Sequence, residues 1–194
     1  VALRNQVAPA LDGAEERNMS TAPPRRQALT LWPEWIYAIV HLGKRVENRG
    51  WPPPDSLIGQ PFALHAGKSI GGNGRDPRLD VGAMLQIASD AGYRWDGKTI
   101  GDLRGAPYYR LLDEVIEAIR AMSSAVVCVA IVSSVLPKRP QNFLGYHAPD
   151  SFGWELDSVV TLPQPVPCKG AQGLWWLPDD VLAKVRERLT GKGE

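Results

Sequence analysis

A chain of 194 residues with 44% hydrophobic content is long enough to bury one substantial core and short for two independent domains. Its formal net charge is +1, which excludes a globally cationic surface, so any contact with nucleic acid must come from a local basic patch. No apolar run reaches the roughly 20 residues of a membrane-spanning helix, and the first residues lack a signal peptide's continuous apolar core. The expectation is a cytoplasmic protein with no membrane association.

Residues 1–27 mix alanine, proline and charge without a sustained period and read as a disordered N-terminal tail, within which Met19 is a candidate natural start. "ALTL", residues 28–31, reads as a short strand. Trp32, Trp35, Ile36, Ile39 and Val40 then recur at three- and four-residue steps, with Pro33 suited to a first helical turn and Gly43 to a C-terminal cap. That pattern predicts a helix over 33–42 with Trp35 in the core.

"KRVENR", residues 44–49, emerges from the end of this helix, with Val46 as the inward residue of an edge strand. Extended backbone puts Lys44, Val46 and Asn48 on one face and Arg45, Glu47 and Arg49 on the other. Charge on both faces does not suit a half-buried strand, so at least one of these side chains is expected to be held in a cleft by a partner.

Three consecutive prolines make 51–59 a rigid loop. A strand with alternating faces follows over 60–68, then a glycine-rich loop over 69–76. Helical periodicity returns over 78–93 and 108–122. "SAVVCVAIVSSVL", residues 124–136, is apolar on both faces and reads as a central strand. Beyond a loop over 137–153 come strands over 154–167 and 173–178, broken by prolines. A closing helix runs from 178 to 189, with Asp179 and Asp180 near its positive N-terminal end. The expected class is α+β: a small mixed β-barrel flanked by helices, formed by 28–190, with a helical insertion over about 77–122.

Several motifs fail on inspection. "HAGKS", residues 65–69, has Phe62 where a phosphate-binding loop needs its first glycine, and "GGNG", residues 71–74, is too short for a dinucleotide fingerprint. No G-x-S-x-G marks a nucleophilic serine. Cys128 lies in an apolar run and Cys168 in a loop, reading as two free thiols in a reducing compartment. His41, His65 and His147 have no ligand spacing, so neither a metal nor a cofactor is expected.

One constellation remains. "LTLWPEWIYAIVHLGKRVENRGWPPP", with "ALHAGK" and "GWELDSVVTLPQPVPCKGAQGLWWLP", resembles the ASCH domain of the PUA-like superfamily. The hallmark of that family is a G-x-K-x-x-E-x-R pattern after the first helix. Lys44, Glu47 and Arg49 match its charged positions, while Leu42 stands in place of the glycine, which falls at Gly43. The resemblance implies a small β-barrel with a cleft lined by the motif, and binding of RNA or another nucleic acid. Some members act on nucleic acids or modified nucleosides. One, an amidohydrolase for acetylated cytidine, has a nucleophilic threonine three residues after the lysine; this chain has Glu47 there, so that mechanism does not carry over.

The residues themselves suit binding. Lys44, Arg45 and Arg49 can meet phosphate oxygens, Glu47 can orient a cation or accept a base amino group, and His65 and Lys68 are expected at the edge of the cleft. Trp32, Trp35, Trp51, Trp154, Trp175 and Trp176 all offer stacking faces, Trp51 beside the prolines foremost. The partner expected is RNA, another nucleic acid or a free nucleotide. An alternative is a hydrolase of a modified nucleoside, nucleotide or RNA, with Lys44 stabilising developing charge and Glu47 as general base. A purely structural ion-pair network of Lys44, Glu47 and Arg49 is a further reading, as is a turn-capping role for His147. Leu111, Leu112, Val115, Ile116 and Ile119 on the inserted helices are expected to face the core, with a protein partner as the alternative. Glu155 or Asp150 would complete a catalytic pair only if the loop before "GWEL" folded over the cleft.

Overall fold

The structure, a computed structural model, describes residues 26–71, 76–138 and 146–191. The expected tail lies outside these residues save for its last two, Arg26 and Gln27, and Gln27 already pairs with Trp176.

Among the described residues, six strands and four helices build an α+β protein. In chain order they are β1 (Gln27–Leu31), α1 (Pro33–His41), β2 (Val46–Arg49), β3 (Pro61–Ala66), α2 (Pro77–Asp90), α3 (Ala106–Met122), β4 (Ala125–Leu136), β5 (Phe152–Pro167), β6 (Leu174–Trp176) and α4 (Asp179–Thr190). The strands lie in the order β2-β5-β4-β3-β1-β6. All neighbours are antiparallel except β1 and β3, which run parallel with Leu29 beside Leu64. The sheet curls into a half-barrel, with β4 central as its two apolar faces predict.

Both faces of the sheet are covered, which is why its inner strands read as unbroken apolar runs. Leu29 and Leu31 of β1 and Phe62 and Leu64 of β3 pack with Ile36 and Ile39 of α1 and with Trp154. Their alternates, Ala28 and Ala63, pack with Val181, Leu182 and Val185 of α4. A third cluster joins α2 to α3, where Met84 and Leu85 meet Leu112, Val115, Ile116 and Ile119. The apolar face of α3 thus belongs to the core, with Leu111 partly buried beside it.

The end of α1 positions the charged motif. Gly43 adopts φ 71°, a left-handed conformation that glycine takes without steric cost, and the turn lets Lys44 N–H donate back to the Ala38 carbonyl at 3.0 Å. Tyr146 Oη donates to the Leu42 carbonyl at 2.7 Å, and Arg45 donates to the carbonyls of Ile39 and Lys44 at 2.7 and 2.9 Å. The carbonyls of Ala38, Ile39 and Leu42 at the helix end are thereby used.

Candidate functional site

Strict alternation would separate Lys44 from Glu47, and the structure brings them together. Lys44 precedes the first residue of β2, so the bend at Gly43 turns its side chain under the strand. Its Nζ donates to Glu47 Oε2 at 2.9 Å and to the Val46 carbonyl, and sits 5.7 Å from the centroid of the Trp35 ring. Lys44 is 1% exposed and Glu47 6%. Burial pushes the Lys44 ammonium below its ordinary range, and the carboxylate of Glu47 opposes that shift.

Arg49 occupies the other side of the same carboxylate. Its Nε faces Glu47 Oε1 at 3.1 Å as an ion pair without hydrogen-bond alignment, while Nη2 donates to the Thr30 carbonyl at 3.0 Å. Two cations share one buried acid, and of the three only Arg49 reaches a cleft.

That cleft, about 1040 Å³ in volume, lies at one end of the sheet. Main-chain bonds run across its base: Gly67 N–H donates to the Leu31 carbonyl at 2.8 Å, Ser124 N–H to Gly67 at 3.1 Å, and Cys168 N–H to Ser124 at 3.0 Å. The ends of β1 and β3, the start of β4 and the end of β5 are stitched together in this way. One wall is the continuous segment from Pro167 to Gly173; Trp32, Lys68 and Ser69 also line the cleft, and Arg49 contributes from β2. Among the described residues its charged lining consists of Arg49, Lys68 and Lys169, with no carboxylate.

His65 lines the cleft while only 2% exposed. Its Nε2 lies 3.1 Å from the Cys168 carbonyl, which can only accept, so Nε2 carries a proton, and in the neutral ring Nδ1 is an acceptor. The Thr30 hydroxyl, 3.4 Å from Nδ1, is then its donor, and Thr30 Oγ1 in turn accepts from Trp175 Nε1 at 3.1 Å. Burial lowers the pKa of His65 from the usual histidine value, with the Cys168 carbonyl acting the other way. A Cβ on Gly170 would fall 2.5 Å from His65 Cε1 and 2.7 Å from Thr30 Oγ1, so the glycine allows the wall segment to rest on this pair.

Of the residues singled out in the sequence, Arg49, His65 and Lys68 line the cleft. Lys44 and Glu47 lie behind Arg49 and Arg45 closes the helix end. Trp51, 37% exposed, does not line the cleft; it packs edge-on against Trp154 at 4.8 Å and accepts Trp154 Nε1 on its carbonyl. His147 Nε2 donates to the Ser151 carbonyl at 2.9 Å, a turn contact. Glu155 accepts from Ser134, and neither it nor Asp150 lines the cleft. Sequence reasoning missed Thr30, Ser124 and Lys169. The one available signal was "CKGAQG", a lysine among glycines after a proline-rich strand.

Cys128 is buried with its thiol pushed up to about 12 by desolvation, and Cys168 is partly buried; both are free. Among the described residues, no group of three or more His, Cys, Asp or Glu side chains gathers as metal ligands would, and no helix is long and apolar enough to cross a membrane.

No protein-family model matches the chain, and no curated protein matches it by sequence. Solved structures similar to this chain include two from one organism. One is ASCH from Zymomonas mobilis, 13% identical, with a TM-score of 0.44 over 84% of this chain and 94% of that one. The other is a serine-to-alanine mutant of the ASCH protein from the same organism, also 13% identical, with a TM-score of 0.43 over the same shares.

Proposed function

We propose that the protein binds nucleic acid, RNA foremost, by holding the phosphodiester backbone in the cleft between Trp32, Lys68 and the Pro167–Gly173 wall. One observation carries this reading: in a chain of net charge +1, the cleft gathers Arg49, Lys68 and Lys169, and no acid lines it among the described residues. Such a lining favours a polyanion, and the release of its counterions makes affinity fall with salt. Trp32, 55% exposed at the rim, offers a face on which an unstacked base can rest. The buried His65, both of its ring nitrogens engaged by Cys168 and Thr30, holds the wall in place beside the cations.

The alternative hydrolase asks Glu47 to take a proton from water. Glu47 is buried, with one oxygen facing each of two cations, a geometry better suited to holding Arg49 than to general-base work. The test is fluorescence anisotropy of labelled RNA and single-stranded DNA across a salt series, with wild type and Lys169→Ala. Binding that weakens with salt, with a shallower slope in the variant, supports the reading. Absence of binding to either polymer at low salt, with binding of a free nucleotide instead, would replace the polymer by a mononucleotide.

A further inference from the structure

We infer that Lys44 makes no contact with the ligand and serves as the counter-ion of Glu47, so that the positive charge of Arg49 stays available to an anion in the cleft. This rests on the binding reading above and concerns how its cleft is charged.

Lys44 has its donors engaged inside the protein, by Glu47 Oε2, the Val46 carbonyl and the face of Trp35. At 1% exposure it has no path to the cleft, which it does not line. Glu47 presents one oxygen to Lys44 at 2.9 Å and the other to Arg49 at 3.1 Å. With Arg49 alone opposite it, this carboxylate would cancel the arginine's charge. Adding Lys44 leaves the three side chains at a net charge of one, and Arg49 is the member through which that surplus reaches the cleft. Nη2 of Arg49 is tied to Thr30, which fixes the guanidinium plane, while Nη1 has no partner among the described residues and is the group left to meet a phosphate.

Fixed charge behind a low-dielectric wall acts at a distance, since a buried pair is screened far less than one in water. A residue that never touches the ligand can therefore set its affinity. The same logic predicts compensation. Removing Lys44 cancels the surplus, and removing Glu47 as well restores it, because Arg49 then stands unopposed and the amide oxygen of a glutamine can still face its Nε.

The experiment measures binding of a short fluorescein-labelled oligouridylate to wild type, Lys44→Met, Lys44→Met/Glu47→Gln and Arg49→Ala over a salt series, with thermal unfolding of each. The expected result is that Lys44→Met weakens binding by about tenfold, the scale of one charge-assisted hydrogen bond, with a salt slope shallower by about 0.7. The double variant should return to within about threefold of wild type. A double variant as weak as Arg49→Ala would overturn the inference, as would Lys44→Met binding like wild type, and either leaves the cleft reading standing. If Lys44→Met does not fold, the double variant decides alone, because a direct contact from Lys44 to the ligand would leave it weak. Unchanged affinity in Arg49→Ala would sink both the inference and the place given to Arg49 in the cleft.

Discussion

Thr30 and Arg49 meet through the threonine's carbonyl, which accepts Nη2 at 3.0 Å, while the hydroxyl of the same threonine lies between Trp175 Nε1 and His65 Nδ1. One residue of β1 therefore ties the charged motif to the opposite wall of the cleft. Replacing Thr30 by valine keeps the shape and the carbonyl but strands the half-buried indole N–H and the imidazole Nδ1. Loss of about 1–3 kcal/mol in stability is expected, measured by urea denaturation, with the Arg49 contact retained. An unchanged midpoint would show that the hydroxyl network contributes nothing.

Gly170→Ala tests the seating of the wall. The new methyl would meet His65 Cε1, Nδ1 and Thr30 Oγ1 at 2.5–2.7 Å, and a buried ring held by two hydrogen bonds cannot swing aside. We expect destabilisation of about 1–3 kcal/mol and displaced backbone amide resonances from Cys168 to Gly173. A spectrum superimposable on that of wild type argues against the contact.

His65 should leave a signature in the pH dependence of stability. Its folded pKa lies below the ordinary 6.5 because it is buried. Between the two values the unfolded chain binds more protons, so stability rises with pH across that window, is complete above 6.5 and declines as pH falls toward the folded value. Glu34 acts with opposite sign: burial raises its carboxyl above 4.5, so its contribution is full below 4.5 and lost as pH rises through the folded value. The exposed His41, lowered by partial burial, contributes to both proteins alike. A His65→Gln variant keeps an N–H for the Cys168 carbonyl and removes the titration. Its stability curve between about pH 5 and pH 7 should be flatter than that of wild type, and parallel curves would refute the assignment.

Trp32→Ala separates stacking from folding. The ring is more than half exposed, so thermal stability should change little. RNA affinity should drop by about 1–3 kcal/mol if a base rests on it. Equal affinity would remove Trp32 from the interface.

The elements with sustained apolar periodicity were legible in the sequence, and α1, α2 and α3 begin and end close to where their patterns do. The prolines near the end of β5 looked like breaks, yet the strand continues to Pro167. Its ladder with β4 jumps from Thr161–Cys128 to Val166–Val126, so Pro163 and Pro165 sit in a bulge opposite Val127 and are asked for no regular pairing. The candidate site was legible in its residue types and not in its geometry. Alternation holds only inside a strand, and Lys44 lies before one, so the turn at Gly43 rather than a two-residue period decides where its ammonium goes. The wall from Pro167 to Gly173 has no period, and its role follows from the strands that end beneath it, which no local pattern reveals.

The run of main-chain bonds from Leu31 through Gly67 and Ser124 to Cys168 gives the cleft a base whose polarity is already spent on itself. Side chains at the rim, Lys68, Ser69, Lys169 and Gln172, can then be exchanged without loosening the strands below. Selectivity for one ligand over another is separable from the integrity of the scaffold. A library confined to those four positions would explore recognition on a platform that stays the same throughout.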